Sequence, residues 1–437
     1  MLPLLVLAAA RMQLDDVVMR KLSTPGTPLS PEESRACLVS CIRHGKSAAR
    51  RAEGKRIVVV LGNTGAGKSS LVNMLHGCAF EYEDDDMMVV REDSPVAELM
   101  RIGHTNNSET FSPQVEDAAA SLGAGFAYAD CPGFLDNRGF EINVANAVNV
   151  RHTVAAAESA VVVVLVNYYS LRADRGKGLH DLLSILIGLF GTVERVRAHA
   201  PSVMLGITQA PTMHPETGAV MSLERYRTTL LNPAGADGPT AQVLSALSNV
   251  FIFHLLERGD ASWMRRDALL ERLRGMPPIA EPSTLFQAVL GASDKERLRG
   301  LVAALGHQVR SCLSAGSASG YAEAARLTSE LLELRLVEHG FVVWLIEAEV
   351  RAAVEERMAA VVTVVDSLFL DGHLEGDDEA GESRRLTEAR EALRSVHDML
   401  TAFSGIEPVH DILQRLVAEA AAKLEGAESR RVLLHAK

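Results

Sequence analysis

The sequence is poor in three features that mark particular classes of protein: excess positive charge, paired cysteines and long apolar runs. Its 437 residues carry 44 Lys and Arg against 56 Asp and Glu, a net charge of −12. It therefore lacks the basic surface with which dedicated nucleic-acid binders hold phosphate backbones, and we expect no nucleic-acid partner. The five cysteines have neither the density of a disulfide framework nor the spacing of a zinc site. This predicts reduced thiols in a cytoplasmic protein.

Apolar runs are also short. None reaches the roughly 18 residues that a membrane span needs, so we expect a soluble protein without a transmembrane segment. The apolar start, residues 2–10, is short and has no basic residues before it, which disfavours a cleaved targeting signal. Apolar residues make up 47% and charged residues 23% of the chain, as in ordinary globular proteins. At roughly 150 residues per domain, the length predicts two or three domains.

Helix and strand patterns alternate between residues 55 and 280. Ser30, Pro31 and Glu33 have the types and spacing of a capped helix start, which predicts a helix over 31–51. Short apolar runs predict buried strands at 57–61, 126–129, 160–166, 203–208 and 250–254. Apolar residues at helical spacing predict a helix around 182–189. The alternation predicts an α/β fold, a mostly parallel sheet with helices on both faces.

The chain beyond residue 281 is predicted to be helical. An apolar stripe at 298–309 and a seven-residue repeat at 386–403 predict helices, the second partly coiled-coil-like. A polar acidic stretch, 372–382, predicts a loop, and Glu407 and Pro408 open a last helix. Trp263 and Trp344 are expected to anchor the packing. The predicted parts are an N-terminal helical segment (1–54), an α/β domain (55–280) and a helical domain (281–437).

Residues 62–69, GNTGAGKS, match the pattern G-x-x-x-x-G-K-[ST]. Its glycines let the backbone curl so that successive N–H groups converge on phosphate oxygens, and the positive end of the following helix points at the same charge. Lys68 is expected to neutralise the β and γ phosphates, and the Ser69 hydroxyl to ligate Mg²⁺. The predicted nucleotide contacts in this motif are Gly62, Asn63, Thr64, Gly65, Ala66, Gly67, Lys68, Ser69 and Ser70.

A second motif follows the strand predicted at 126–129. Asp130-Cys131-Pro132-Gly133 has the form of a D-x-x-G turn. Asp130 is expected to hold Mg²⁺ through water, and the Gly133 N–H to meet the γ phosphate. Between the two motifs, Thr110 is the candidate for a switch threonine whose hydroxyl reaches Mg²⁺ only when a γ phosphate is present, with Thr105 as its rival. Lys68, Thr110, Asp130 and Gly133 are thus the candidate catalytic residues.

Three stretches carry a resemblance to a known group: GNTGAGKSSLVNML at 62–75, DCPGFLDNRG at 130–139, and AVVVVLVNYYSLRADRGKGLHDLLSILIGLFG at 160–191. They resemble the immunity-associated nucleotide-binding GTPases and the chloroplast-import receptor GTPases, which are relatives of septins. The resemblance covers residues 55–255. It implies a P-loop G domain, GTP or GDP with Mg²⁺ as ligands, and self-association across the nucleotide face.

The sequence departs from that group in the base-binding region. Thr208-Gln209-Ala210-Pro211 stands where the group has T-K-x-D, so a proline replaces the carboxylate that accepts the guanine N–H pair. Thr208 and Gln209 remain candidate base contacts, as does His254, for which a structural role is the alternative. Phe134 follows Gly133 where Ras-like enzymes have a water-orienting glutamine, which predicts slow hydrolysis.

These observations predict a Mg²⁺-dependent guanine-nucleotide-binding protein, a molecular switch or slow GTPase. Its C-terminal helices are expected to mediate partner binding or self-association. A nucleotide-binding scaffold that does not turn over is one alternative, favoured by the missing aspartate and glutamine. A P-loop ATPase is another, because Lys68 and Ser69 would contact phosphates and not the base. The polar segment 84–112 is expected to have little apolar burial and to become ordered only with triphosphate.

Overall fold

The computed structural model describes residues 16–24, 27–83, 87–102, 112–133, 139–172, 177–211, 238–253, 266–370 and 379–435. The chain divides into two compact units, Met1–Asp294 and Lys295–Lys437. The first is an α/β unit that contains the N-terminal helices together with the sheet. The second is helical.

A six-stranded, mostly parallel sheet forms the centre of the α/β unit. Its strands lie in the order β4-β5-β1-β6-β7-β8, and every neighbouring pair is parallel except β4 and β5. A separate antiparallel pair is formed by β2 and β3. The strands are β1 Arg56–Gly62, β2 Phe80–Glu83, β3 Met87–Val90, β4 Gln114–Asp117, β5 Phe126–Asp130, β6 Ser159–Asn167, β7 Val203–Thr208 and β8 Val250–Phe253.

Helices cover both faces of this sheet, which is why β1 is apolar at nearly every position. Ile57, Val59 and Leu61 point into one core cluster, and Val58 and Val60 into the cluster on the opposite face. The helices of this unit are α1 Asp16–Ser23, α2 Pro31–Ala52, α3 Lys68–His76, α4 Phe140–Ala156, α5 Tyr168–Arg172, α6 Lys177–Phe190, α7 Val193–Ala198, α8 Pro239–Ala246, α9 Arg266–Gly275 and α10 Pro282–Leu285. A short 3-10 helix, Ala200–Ser202, follows α7.

The predicted start of α2 is confirmed in detail. The Glu33 amide donates to the Ser30 hydroxyl at 3.2 Å, and the Ser30 amide donates to the Glu33 carboxylate at 3.0 Å. Each side chain thus satisfies a backbone N–H at the helix start that has no partner within the helix. The predicted strands at 57–61, 126–129, 160–166 and 203–208 and the helix around 182–189 are also confirmed, within one or a few residues at their ends.

Three strands were not predicted: β2, β3 and β4. Each has only four residues, and β4, with the sequence QVED, lies at the sheet edge and buries only Val115. Short edge strands leave too few alternating apolar positions to be recognised. Within residues 88–102 most side chains are exposed or half-buried, as expected, and Met100 is the exception. Met100 is fully buried, and the Asn73 side chain accepts hydrogen bonds from the amides of Leu99 and Met100, each at 2.8 Å.

The helical unit confirms the predicted stripe at 298–309, whose apolar residues are buried. Val396 and Phe403 of the predicted repeat are buried as well, and so is Met399 between them, so this part of the helix packs inside its own unit. The loop predicted at 372–382 is wrong over 379–382, where a helix has already begun. The helices are α11 Ala292–Ser314, α12 Ala318–Glu333, α13 Arg335–Leu370 with non-helical backbone at Glu338, α14 Glu379–Ala402 and α15 Val409–His435.

The prediction that Trp344 anchors the packing is wrong. Its side chain is 61% exposed, with its ring centroid 6.2 Å from that of Phe341, so it does not anchor the core. Trp263 lies outside the described residues. None of the helices in the described part of the chain combines the length and the apolar character needed to cross a bilayer.

Candidate functional site

Residues 62–69 form the connection from β1 to α3 at the carboxyl edge of the sheet. Gly62 ends β1, and Lys68 begins α3. Gly65 and Gly67 have φ values of +77° and +81°, in the left-handed region that other residues seldom adopt. These two positions let the chain turn sharply enough for the helix to start directly behind the loop. Thr64 is exposed, whereas Ala66 is buried and Ser70 is half-buried in the first turn of α3.

The Lys68 side chain is folded back over this loop. It is only 8% exposed, and its Nζ donates to the Asn63 carbonyl oxygen at 3.1 Å. The same carbonyl accepts from the Ala66 amide at 3.1 Å. The Asn63 side-chain oxygen Oδ1 is buried and has no hydrogen-bond partner. The ammonium group is therefore held inside the curve of the loop.

Ser69 and Asp130 connect the two sequence motifs. Ser69 Oγ donates to Asp130 Oδ2 at 2.6 Å. The contact is possible because β1 and β5 are neighbours in parallel register, with Val60 paired to Asp130. The two predicted metal ligands, 61 positions apart in the chain, are thereby brought together.

Asp130 is fully buried, and its second oxygen, Oδ1, has no hydrogen-bond partner. Burial raises the pKa of this carboxyl above its ordinary value, and the Lys68 charge and the Ser69 hydroxyl oppose that rise without cancelling it. A buried acceptor without a partner is energetically unfavourable, and a structure that keeps one calls for an explanation. A cation or a polar ligand at Oδ1 would supply it.

Gly133 brings the second motif against the first. A Cβ atom at this position would lie 2.7 Å from the Thr64 backbone nitrogen and 3.0 Å from the Thr64 Cα. No side chain fits there without moving the backbone of the loop. The turn after β5 and the loop after β1 therefore touch at a point where only glycine is accommodated.

Few of the described side chains at this site could bind a metal. Among the described residues, no group of three or more His, Cys, Asp or Glu side chains lies close enough together to hold a metal ion. Ser69 and Asp130 offer one hydroxyl and one carboxylate. Such a sparse set of oxygen ligands suits Mg²⁺, which keeps several waters and is completed by substrate phosphates.

No protein-family model matches the chain, and no curated protein matches it significantly. The function therefore rests on the chemistry of the site.

A second set of polar groups lies further along the same edge of the sheet. Thr208 ends β7, is buried, and donates to the Val166 carbonyl at 3.5 Å. Gln209 follows it and is exposed, with φ at +52°; it is the only non-glycine residue with positive φ in the described part of the chain. The Asn167 side chain, at the end of β6, donates to Gln209 Oε1.

Asn167 is a further candidate for the site, and sequence reasoning missed it. The available signal was a polar residue that ends the longest apolar strand among the described residues, at the edge where ligands bind in α/β folds. Thr110, its rival Thr105, Phe134 and His254 lie outside the described residues.

Proposed function

We propose that this chain is a P-loop protein of the G-domain type that binds a nucleoside triphosphate with Mg²⁺ and acts as a switch or slow NTPase. GTP is the nucleotide implied by the resemblance. The observation that carries the proposal is the hydrogen bond from Ser69 to Asp130, whose second carboxylate oxygen is buried without a partner. A Mg²⁺ ion bound to a phosphate would use the oxygens of both residues.

The residues of the loop fit the charge of a polyphosphate. The backbone N–H groups of 63–69 and the start of α3 would face the phosphate oxygens, where a helix N-terminus favours negative charge. Lys68 would turn its ammonium group from the Asn63 carbonyl to the β and γ phosphates. Mg²⁺ would neutralise further phosphate charge. Ser69 would bind the ion directly, and Asp130 would bind it directly or through water.

Gly133 supplies the proposed means of sensing the γ phosphate. Its contact with Thr64 places the turn after β5 directly against the phosphate-binding loop. An N–H group from this turn would reach a γ phosphate that a diphosphate lacks. Such a contact, made by only one of the two ligands, is what a switch between two states requires.

A nucleotide-binding scaffold without turnover is the second candidate. It is favoured by Phe134, which follows Gly133 where a glutamine would orient the attacking water. Steady-state phosphate release separates the two candidates. Sustained release that requires Mg²⁺ supports a slow NTPase, whereas binding without release supports the scaffold.

Nucleotide binding itself is tested with Lys68→Ala, and Lys55→Ala is the matched control. Lys55 lies just before β1, at the opposite end of the strand, and forms an ion pair with Asp117 at 2.5 Å. Loss of a charge-assisted contact worth about 2 kcal/mol predicts roughly a 30-fold loss of GTP affinity for Lys68→Ala. Calorimetry with GTP and Mg²⁺ should show no such loss for Lys55→Ala. Wild-type affinity in Lys68→Ala would refute the proposal.

A further inference from the structure

We propose that Asn167, Tyr169 and Gln209 form the base-binding part of this nucleotide site, and that this part accepts adenine about as well as guanine. The inference rests on the proposed function, because it specifies which nucleotides the same site would take. It goes beyond that function by assigning two residues, Asn167 and Tyr169, and a substrate range.

The order of the strands indicates where a base would lie. In open α/β sheets, ligands bind outside the carboxyl ends of the strands. Ser69 and Asp130 place the metal end of the site on the β5 side of β1. A nucleotide whose terminal phosphate lies on that side extends its nucleoside in the opposite direction, over β6 and β7. Asn167 and Thr208 are paired at the carboxyl ends of these two strands.

The hydrogen bonds of the two amide side chains leave mainly donors for a ligand. Asn167 Oδ1 accepts from the Tyr169 backbone N–H at 2.8 Å, and Gln209 Oε1 accepts from Asn167 Nδ2. Both amide oxygens are therefore already engaged once. The Gln209 NH₂ group remains as a donor at an exposed position. Guanine and adenine both carry an acceptor, N7, that such a donor can reach.

The backbone of Gln209 supports a functional role for this residue. A non-glycine residue in the left-handed region is uncommon, and such strained positions concentrate at binding sites. Glycine would adopt the same conformation without this strain. The strained backbone brings the Gln209 side chain to the end of Asn167, where the two amides are joined.

Tyr169 adds a surface on which a base can stack. Its side chain is 62% exposed, and its backbone N–H is bonded to the Asn167 side chain. It is one of only two large hydrophobic side chains that are strongly exposed in the described residues. Aromatic stacking is tolerant of base identity, because every base has a π face.

Guanine selectivity would require an acceptor for its N1–H and amino groups, and carboxylates fill that role best. The described residues that follow β6 and β7, 168–172 and 209–211, include no Asp or Glu. The Asn167 and Gln209 amides offer mainly N–H donors to a base, and the N1–H and amino groups of guanine are donors as well. Among the described residues at this edge of the sheet, none is a carboxylate that would favour guanine over adenine.

The experiment measures Mg²⁺-dependent affinities of GTP, ATP and inorganic tripolyphosphate for the full chain, by calorimetry and by competition. Wild-type protein is compared with Gln209→Glu, Gln209→Gly and Tyr169→Ala. Tripolyphosphate reports on the phosphate-binding loop alone, and thermal unfolding reports on the fold of each variant.

We expect GTP and ATP to bind wild-type protein within about tenfold of each other. Gln209→Glu exchanges the donor for an acceptor of the same shape, so the ratio of GTP to ATP affinity should rise by about tenfold or more. Tyr169→Ala should weaken both nucleotides equally, by roughly tenfold. Gln209→Gly should weaken both while raising the melting temperature. None of the three should change tripolyphosphate binding.

Two results would overturn the inference. The first is wild-type binding of GTP more than about tenfold tighter than ATP. The second is an unchanged affinity ratio in Gln209→Glu with unchanged nucleotide affinities in Tyr169→Ala. If tripolyphosphate binds and Lys68→Ala weakens that binding, the proposed phosphate site is supported whatever the result for the base. If neither nucleotide nor tripolyphosphate binds, the proposed function fails and the base site with it.

Discussion

Lys21 and Glu141 form an ion pair in which Nζ and Oε2 lie 3.0 Å apart and both side chains are almost fully buried, at 3% and 2% exposure. Glu141 also accepts from the Ser34 hydroxyl at 2.9 Å, and Lys21 Nζ donates to the Thr27 carbonyl at 3.0 Å. The pair joins α1 to the first turn of α4, the helix that follows the D-x-x-G turn. The N-terminal helices are thereby attached next to the proposed γ-phosphate sensor.

Removal of one partner of this pair should be strongly destabilising. Lys21→Met leaves the Glu141 carboxylate buried beside no cation, and we expect a loss of about 3–5 kcal/mol in the free energy of unfolding. Urea titration monitored by circular dichroism measures it. The double variant Lys21→Met, Glu141→Gln removes both charges and should recover most of the loss. A double variant as unstable as Lys21→Met would show that the loss does not come from an unpaired buried carboxylate.

The Glu141 carboxyl should make the free energy of unfolding depend on pH. Burial acts to raise the pKa of Glu141, but its own backbone amide, Lys21 and Ser34 together outweigh burial and lower the pKa below its ordinary value. A lowered pKa means that the stabilisation is present above the carboxyl's unfolded value and is lost as the pH falls through the folded value. The difference in unfolding free energy between wild type and Glu141→Gln should therefore shrink from about pH 7 to about pH 3. A constant difference would contradict this assignment.

Asp130→Asn should stabilise the ligand-free protein while weakening nucleotide binding. The pKa of Asp130 is raised by burial, so the folded chain disfavours the charged form, and its contribution to stability falls as the pH rises through the folded pKa. The amide keeps an acceptor for Ser69 without that charge. We expect a higher melting temperature near neutral pH, and an advantage that disappears in acid.

Loss of the Asp130 carboxylate should at the same time reduce Mg²⁺-dependent GTP affinity by about 10- to 100-fold. Ser69→Ala is the comparison, because it removes a ligand and also leaves Asp130 without its hydrogen-bond donor. It should lower both affinity and melting temperature. Equal changes in melting temperature for Asp130→Asn and Ser69→Ala would contradict the idea that the buried Asp130 carboxylate is unfavourable without a ligand.

Gly133→Ala should weaken the proposed phosphate site by shifting the backbone of the loop or the turn. The added Cβ would lie 2.7 Å from the Thr64 backbone nitrogen, so either the turn or the loop must shift. We expect GTP affinity to fall by at least about tenfold, with only a modest change in the unfolding free energy. Gly123→Ala is a control in the same unit, since Gly123 has no heavy atom within 4 Å of the added Cβ. Because Gly123 has positive φ, its variant reports backbone strain without a clash. Unchanged affinity in Gly133→Ala would exclude close packing of the two motifs.

Self-association should depend on nucleotide. The resemblance implies pairing across the nucleotide face, and the buried side chains of Val396, Met399 and Phe403 are already used within the helical unit. Light scattering should give a dimer mass with a non-hydrolysable GTP analogue and a monomer mass for Lys68→Ala under the same conditions. A dimer that forms equally in both would point to an interface elsewhere.

The local features of this protein can be predicted from short stretches of its sequence. The capping box of Ser30 and Glu33, the apolar strand β1 and the glycine-containing loop behind it all depend on residues within a few positions of one another. The helices beyond residue 291 could be predicted equally well, since their apolar stripes repeat over several turns. These patterns sufficed to predict an α/β unit followed by helices.

The contacts between groups that are distant in the sequence depend on how the whole chain packs. Ser69 contacts Asp130 because β1 and β5 are neighbours in a particular register, and Asn167 meets Gln209 because β6 lies beside β7. The burial of Lys21 against Glu141 likewise depends on where α1 and α4 pack. Strand order and register are set by the packing of the whole unit, and a one-residue slip would turn every side chain to the other face. No local pattern carries that information. The motif of residues 62–69 could therefore be predicted from the sequence, whereas the contacts of Asp130 and of the Asn167 and Gln209 amides could not.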